Sequence, residues 1–410
     1  MFEQVSVTRE IMGQGRNLLL CADGSAPLSG ALAGYAAQAQ CVYIDPPFMT
    51  GDSFSRRRRF GQSGWKKGTP APEYPAYADR YGTREAYLAF LRGLIENAHK
   101  LLSQTGVLAL HLDWRTSAYG RILCDEVFGE ELFLNEVIWS YESGGRAKKY
   151  FSRKHDTILL YARTKDYRFD LRKVPLERTE HRKNHMRRSV DEDGRAYSEI
   201  KTGGKIYRYY DDAPVYPGDV WTDISHLQQR DPERTGYATQ KPLKLLDRIL
   251  KPVVKEGDLV IDLCCGSGTA MAAAQALSCR FVGVDSAPEA ILTTASRLES
   301  GDLTLDCPCT ADDTRLEGVY TGEGGMMLLT GFTAQHPSFP KIEQAMDTLE
   351  SWAAGHITDG GFVVDQAFRR TPRSPELPMF CLLPGGEGEP GVSTVDAAGR
   401  RRVFRWVDEG

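Results

Sequence analysis

At 410 residues, with 41% hydrophobic and 26% charged residues and a formal charge of −4, the chain is sized for two or three globular domains. That composition excludes wholesale disorder, a collagen-like repeat and a coiled coil, and no apolar run approaches the ~20 residues of a membrane span. It also excludes a uniformly basic nucleic-acid protein, although the mean hides an asymmetry.

Between residues 146 and 188 stand 15 Lys and Arg against five Asp and Glu, and between 301 and 410 nine against 17. A basic centre beside an acidic tail fits a polyanion-binding surface, though a charge run alone is more often a solvated face. Nine Cys without CxxC spacing read as reduced thiols rather than a disulfide framework or zinc site. Met1-Phe2-Glu3-Gln4 lacks the basic start and apolar core of a secretion signal, so a cytoplasmic protein without a membrane partner is expected.

Taken in chain order, short apolar runs alternate with helical patterns, which predicts a parallel sheet. Leu18–Cys21 and Cys41–Ile44 read as strands, the second stopped by Asp45-Pro46-Pro47. Leu88, Leu91, Ile95, Ala98 and Leu102 recur at helical spacing after a candidate N-cap, Thr83. A strand at Val107–His111, a helix near Ala118–Phe128 and strands at Glu136–Trp139 and Thr157–Tyr161 follow.

From Thr164 to Thr235 the pattern dissolves into polar, basic, Tyr-rich sequence. It resumes with a helix at Pro242–Leu250, a strand at Leu259–Ile261, a helix at Thr269–Leu277 and a strand at Arg280–Val284. Ser286 and Glu289 have capping-box spacing and predict a helix opening there. Beyond Asp302 a small α+β unit is expected. Ile342, Ala345, Met346, Leu349 and Trp352 form a helical stripe, with strands at Phe362–Val364, Phe380–Leu383 and Val403–Phe404.

Two segments carry chemistry. In Asp262-Leu263-Cys264-Cys265-Gly266-Ser267-Gly268-Thr269, glycines between a strand and a helix let the backbone turn sharply and approach a ligand. Asp285 closes the next strand and is suited to a ribose diol. The structural alternative is a plain strand-to-helix turn. A dinucleotide fingerprint needs a third glycine where Met271 stands, and Asp262 would repel a pyrophosphate. A cofactor with an amino group and a ribose, S-adenosylmethionine (AdoMet), therefore fits better than NAD.

In Asp45-Pro46-Pro47-Phe48 the prolines remove backbone donors and stiffen the turn. What remains is a carboxylate, carbonyl oxygens and an aromatic face, an array that grips an exocyclic NH2 while Phe48 stacks on its ring. The alternative is a proline-stiffened loop with a buried Phe. His155 has no partner at metal-ligand spacing and reads as structural.

With Tyr43–Phe48, Thr50-Gly51, Val137–Trp139, Phe151–Tyr161, Asp219-Val220-Trp221, Thr239–Pro242 and Asp262–Thr269 in this order, the chain resembles the β-class amino-group DNA methyltransferases. It is similar to site-specific adenine-N6 members and to type III modification subunits.

The resemblance implies a Rossmann-like class I AdoMet-dependent methyltransferase fold, α/β, with a mostly parallel seven-stranded sheet and permuted motif order. It implies a catalytic part over 1–164, a target-recognition insertion over 165–235, an AdoMet-binding part over 236–302 and the C-terminal α+β domain over 303–410. Catalysis falls on Asp45, Pro46, Pro47 and Phe48. Cofactor binding falls on Asp23, Lys241, Pro242, Asp262, Cys264, Gly266, Gly268, Thr269 and Asp285. Phe48 replaces the commoner Tyr and Cys264-Cys265 the commoner Pro-Phe, neither of which points to an inactive site.

DNA phosphates would meet Arg56, Arg57, Lys148, Lys149, Arg153, Lys154, Arg187 and Arg188. The implied reaction is methyl transfer from AdoMet to adenine N6 of a flipped base. Cytosine N4 and a catalytically silent DNA-binding relative are the alternatives. Duplex DNA is the expected partner, with a homodimer and a cognate restriction endonuclease as further candidates.

Overall fold

Seven apolar runs form the centre of the molecule: β1 (Asn17–Cys21), β2 (Ala39–Ile44), β3 (Leu102–Asp113), β4 (Phe133–Ser140), β5 (His155–Ala162), β6 (Leu259–Asp262) and β7 (Arg280–Asp285). The computed structural model describes residues 1–51, 53–57, 61, 73–79, 81–142, 147–176, 186–228, 231–237, 239–298, 301–322, 325–334, 345–371 and 373–408. The seven strands lie in the order β1-β7-β6-β2-β3-β5-β4. Neighbours run parallel except at β5, which is antiparallel to β3 and β4.

The longer helices among the described residues are α1 (Arg84–Leu101), α2 (Ser117–Phe128), α3 (Leu243–Leu250), α4 (Thr269–Ala276) and α5 (Pro288–Arg297). Successive strand residues point to opposite faces. Cys41, Tyr43, Val260 and Phe281 therefore pack with Leu246 and Ile249 of α3, Met271 of α4 and Ile291 of α5. Val42, Ile44, Ile261 and Val282 pack on the other face with Leu91 and Leu94 of α1 and Leu123 of α2. A parallel sheet needs both faces covered, and each buried Leu, Ile or Val contributes roughly 1.5–3 kcal/mol. This three-layer, Rossmann-like arrangement is the one expected from the alternation.

The helix starts show where local signals hold. Thr83 caps α1, its side chain accepting the Ala86 N–H at 3.2 Å. The expected Ser286 capping box does not form. Pro288 begins α5, Ala287 is its N-cap, and the Ala287 N–H donates to Asp285 instead.

The sheet continues past β1 through Leu303–Asp306, which is parallel to it, and Arg9–Met12. Arg9–Met12 pairs with Gly361–Arg369, and Leu349–Thr358, Glu389–Asp396, Arg401–Trp406 and Phe2–Val5 follow; with Val220–Trp221, parallel to β4 at the opposite edge, they make 15 strands. The helical stripe expected to Trp352 is overturned. Only Ala345–Thr348 is a 3-10 turn, Ile342 lies outside the described residues, and Leu349–Thr358 is a strand. Strand partners on both sides satisfy its backbone, and Trp352 stacks across the pair on Phe368 at 4.7 Å, so tertiary pairing overrides the three- and four-residue spacing. From 303 onward the described residues hold strands and no α-helix, which corrects the expected α+β character.

Further elements were not read from sequence, the paired strands Arg315–Thr321 and Met326–Thr333 among them. A meander of Arg187–Val190, Ala196–Thr202 and Lys205–Tyr210 occupies the patternless insertion. A hairpin of Ser53–Arg57 and Glu73–Ala78 follows the proline motif.

The C-terminal strands bury charge. Arg402 is fully buried and pairs with Asp312 at 2.5 Å and Asp396 at 3.1 Å. Burial alone would raise Asp312, yet the Arg402 pair and a Thr314 hydrogen bond hold it well below the usual carboxylate range. Arg400 also reaches both carboxylates, so Arg402→Ala removes charge-assisted bonds without stranding either and should lower the unfolding free energy by about 2 kcal/mol in urea titrations. A depressed folded-state value contributes stability above the unfolded value of about 4 and loses it as pH falls. Asp312→Asn should therefore flatten the acid side of the stability–pH curve.

Candidate active site

Strand order reverses between β6 and β2, so the chain leaves their carboxyl ends in opposite directions and opens a crevice. Asp262, last in β6, is in register with Tyr43 of β2, two residues before Asp45. Asp23 follows β1 and Asp285 ends β7. All four carboxylates thus reach the same edge of the sheet and line one cavity of about 230 Å³. The cavity also takes in Pro46, Pro47, Phe48, Lys241, Cys264, Gly266 and Thr269. Pro242 and Gly268 do not line it. They shape its walls as the N-caps of α3 and α4.

The glycine turn is tied down by carboxylates. Asp285 accepts the Gly266 N–H at 3.0 Å on one oxygen and the Ala287 N–H at 2.9 Å on the other. Asp262 accepts the Cys264 N–H at 3.0 Å. Gly268 has φ +74°, a left-handed conformation that L side chains avoid. Burial pushes the Asp262 carboxyl well above its usual range, reinforced by the charges of Asp45 and Asp285, and burial likewise raises Asp285. Both therefore favour a cationic or donor-rich ligand. Burial also pushes the Cys264 and Cys265 thiols up, so neither is a ready nucleophile.

Across the cavity, Lys241 Nζ donates to both oxygens of Asp45, at 2.8 and 2.6 Å, and stands 5.1 Å from the centre of the Phe48 ring. Its loop is braced from below. Thr269 Oγ1 donates to the Lys241 carbonyl at 3.0 Å, and partly buried Arg297 bonds both Thr269 and Glu233. Beneath Phe48, Asp156 takes hydrogen bonds from Tyr141 and His111, and His111 Nδ1 bonds the Tyr43 hydroxyl at 2.9 Å. Burial would raise Asp156, but the His111 bond and charge and nearby Lys241 hold it below its usual range. Burial, then Asp45, raises the Tyr43 phenol, so it keeps its proton. Asp156 thus anchors the His111 ring through Nε2, and Nδ1 is held against the Tyr43 hydroxyl.

Sequence reasoning missed Asp79, Tyr81, Phe90, Tyr237 and Thr239, which also line the cavity. They arrive on three separate segments, Asp79 and Tyr81 on the loop before α1, Phe90 on α1, and Tyr237 and Thr239 on the loop before α3.

None of the basic residues expected to meet DNA is among those lining the cavity. Lys148 and Lys149 are exposed, and Arg153 stacks on Trp114 and Tyr150, in the loop between β4 and β5. Lys154 donates to the Glu142 carbonyl at 2.8 Å, and Arg188 pairs with Asp211 at 2.6 Å, so both are partly committed within the chain. Arg187 is exposed on the meander. Arg56 and Arg57 belong to the Ser53–Arg57 strand, with side chains outside the described residues, as are Arg58 and Arg59. Among the described residues no cluster of His, Cys, Asp and Glu is placed to hold a metal ion.

A family model described as DNA methylase matches residues 39–296. The chain is 25% identical over 310 residues, 64% of its length, to the type II methyltransferase M.EcaI of Enterobacter cloacae. It is 23% identical over 266 residues, also 64% of its length, to the DNA adenine methyltransferase YhdJ of Escherichia coli, covering 77% of that protein. The match spans 65% of M.EcaI and 54% of M.BglII from Bacillus subtilis, less than two thirds of either. Among solved structures, an M1.HpyAVI–SAM complex aligns at TM-score 0.42 and 14% identity, covering 69% of this chain and 99% of that one.

Gly268→Ala would force a side chain to φ +74° and set its Cβ 2.5 Å from Thr294 Cγ2. We expect a loss of about 2 kcal/mol, read as a lower Tm. Gly218→Ala, with open space around it, should change little.

Proposed function

This chain belongs to the amino-group DNA methylase family, and from that premise we propose that it methylates adenine N6 in duplex DNA, using AdoMet, at the cavity between β2 and β6. One observation carries the proposal. The acceptor loop at Asp45–Phe48 and the glycine turn at Asp262–Thr269, distant in sequence, open into the same cavity. The name of the E. coli relative, a DNA adenine methyltransferase, and Asp ahead of Pro-Pro both support adenine.

The residues around the glycine turn suit AdoMet. Asp285, with each oxygen already accepting one N–H, keeps lone pairs for a ribose diol, and buried Asp262 answers an ammonium. Lys241, Cys264, Gly266 and Thr269 complete the wall, with Asp23 at the adenine end. AdoMet supplies an electrophilic methyl on sulfur.

The protein's part is orientation and charge. An aromatic amine is a weak nucleophile because its lone pair is delocalised into the ring. Accepting both N–H bonds at Asp45 and the Pro46 carbonyl favours a tetrahedral nitrogen with its lone pair free for an in-line displacement. Positive charge develops on that nitrogen, and Asp45 stabilises it. Lys241 already places an ammonium on Asp45, so Lys241 has to give way when the base enters. The proton shed after transfer has Asp45 as its nearest carboxylate acceptor. Phe48 stacks on the base, and Tyr43, His111 and Asp156 support the ring from below.

A duplex base reaches the cavity only by flipping out, at a cost of a few kcal/mol. Lys148, Lys149 and Arg153, in the loop between β4 and β5, would hold the backbone. Arg187 and Arg188, on the exposed meander, would engage the groove beside it.

Expression in a methylation-free host followed by modified-base sequencing should reveal a recurrent N6-methyladenine in one short sequence. Modified cytosine, or none, would contradict the assignment. Asp45→Ala should cut methyl transfer at least about a hundredfold while leaving AdoMet affinity within a few-fold. Because burial holds the Asp262 carboxyl well above its usual range and a bound ammonium would favour its ionised form, AdoMet binding should release protons over the pH range in which that carboxyl is still partly protonated. Calorimetry in buffers of different ionisation enthalpy reads this directly, and Asp262→Asn should reduce the release.

A further inference from the structure

We infer that Asp79 is the positioning residue that makes the acceptor loop blind to carbonyl-bearing bases, by sequestering the loop N–H groups that would otherwise hydrogen-bond a keto oxygen. The inference rests on the amine-methylation reading and names how its site chooses among bases.

From position 46 to 51 the chain offers no free N–H. Pro46 and Pro47 have none. The Phe48 and Thr50 N–H groups donate to Asp79 Oδ2 at 3.1 and 2.8 Å, and the Met49 N–H donates to Oδ1 at 2.9 Å. Thr50 Oγ1 adds a bond to Oδ2 at 2.9 Å, and the Gly51 N–H goes to the Asp79 carbonyl at 3.1 Å. Met49 holds φ +56°, uncommon for a side chain of its kind, and that turn converges three successive amides on one carboxylate. Asp79 is 1% exposed yet lines the cavity, so water does not compete for these bonds.

The consequence for recognition is direct. Adenine and cytosine present an NH2 where guanine and thymine present an oxygen. A loop of acceptors only attracts the first pair and repels the second. One freed N–H would offer the oxygen a partner and loosen the grip on the amine. Asp79 also fixes the backbone on which Phe48 rides, so the same contact sets ring placement.

The test uses the full chain, AdoMet and duplexes carrying the sequence found by modified-base mapping, with adenine or hypoxanthine at the target position. Asp79→Asn keeps the shape but turns an NH2 toward N–H donors. We expect kcat to fall about a hundredfold with AdoMet affinity unchanged. The adenine-to-hypoxanthine ratio of duplex affinities should fall about tenfold relative to wild type, a comparison that cancels their different pairing strengths. A purely structural role would lower stability and leave that ratio intact.

Thr50→Val removes one bond to Asp79 without removing the carboxylate. It should show the same two changes at about a third of the logarithmic size, and it decides the matter if Asp79→Asn does not fold. Wild-type kcat and ratio in either folded variant would overturn the role of Asp79. An inactive wild type would instead overturn the reading beneath it.

Discussion

The site depends on the pairing of β6 with β2 at the point where strand order reverses. Parallel strands whose connections depart in opposite directions cannot cover their shared carboxyl edge. The register of Asp262 with Tyr43 brings the glycine turn and the proline loop, encoded far apart, to one opening. Burial of both sheet faces makes a register slip costly, since a one-residue shift would drive every inward side chain to the opposite face. Chemistry that needs two reactants aligned thus inherits its precision from ordinary core packing.

Within that frame, electrostatics divides the cavity. At one end burial holds the Asp262 and Asp285 carboxyls above their usual ionisation range. At the other, Asp45 is neutralised by Lys241. The ion pair lets a carboxylate persist in a partly enclosed pocket without an entering base, and an incoming amine exchanges one nitrogen for another. Asp79 extends the division to the backbone, converting a stretch of peptide into a surface of acceptors.

Much of this was legible in the sequence, and the reasons differ by element. Strand runs such as Cys41–Ile44 and the Thr83 cap are local signals, and local physics delivered them. The two motifs were legible because glycine and proline constrain backbone wherever they fall. Ser286 failed as a cap because Asp285, already turned toward Gly266, reached the Ala287 N–H first. Leu349 and Trp352 had helical spacing but lie in a strand, because edges offered by Gly361–Arg369 and Glu389–Asp396 decide their backbone. Asp79 and the Lys241–Asp45 pair were illegible for a third reason. Their partners come from distant chain segments, and no periodicity encodes a meeting of loops.

The account stands most directly on where the transferable carbon and the target nitrogen come to rest. A crystal structure with a non-transferable AdoMet analogue and a target duplex should place the extruded amine within hydrogen-bond reach of Asp45, with Lys241 displaced and the analogue's sulfur-side substituent facing that nitrogen. An analogue seated away from the glycine turn, or a base that leaves the Lys241–Asp45 pair intact, would contradict it.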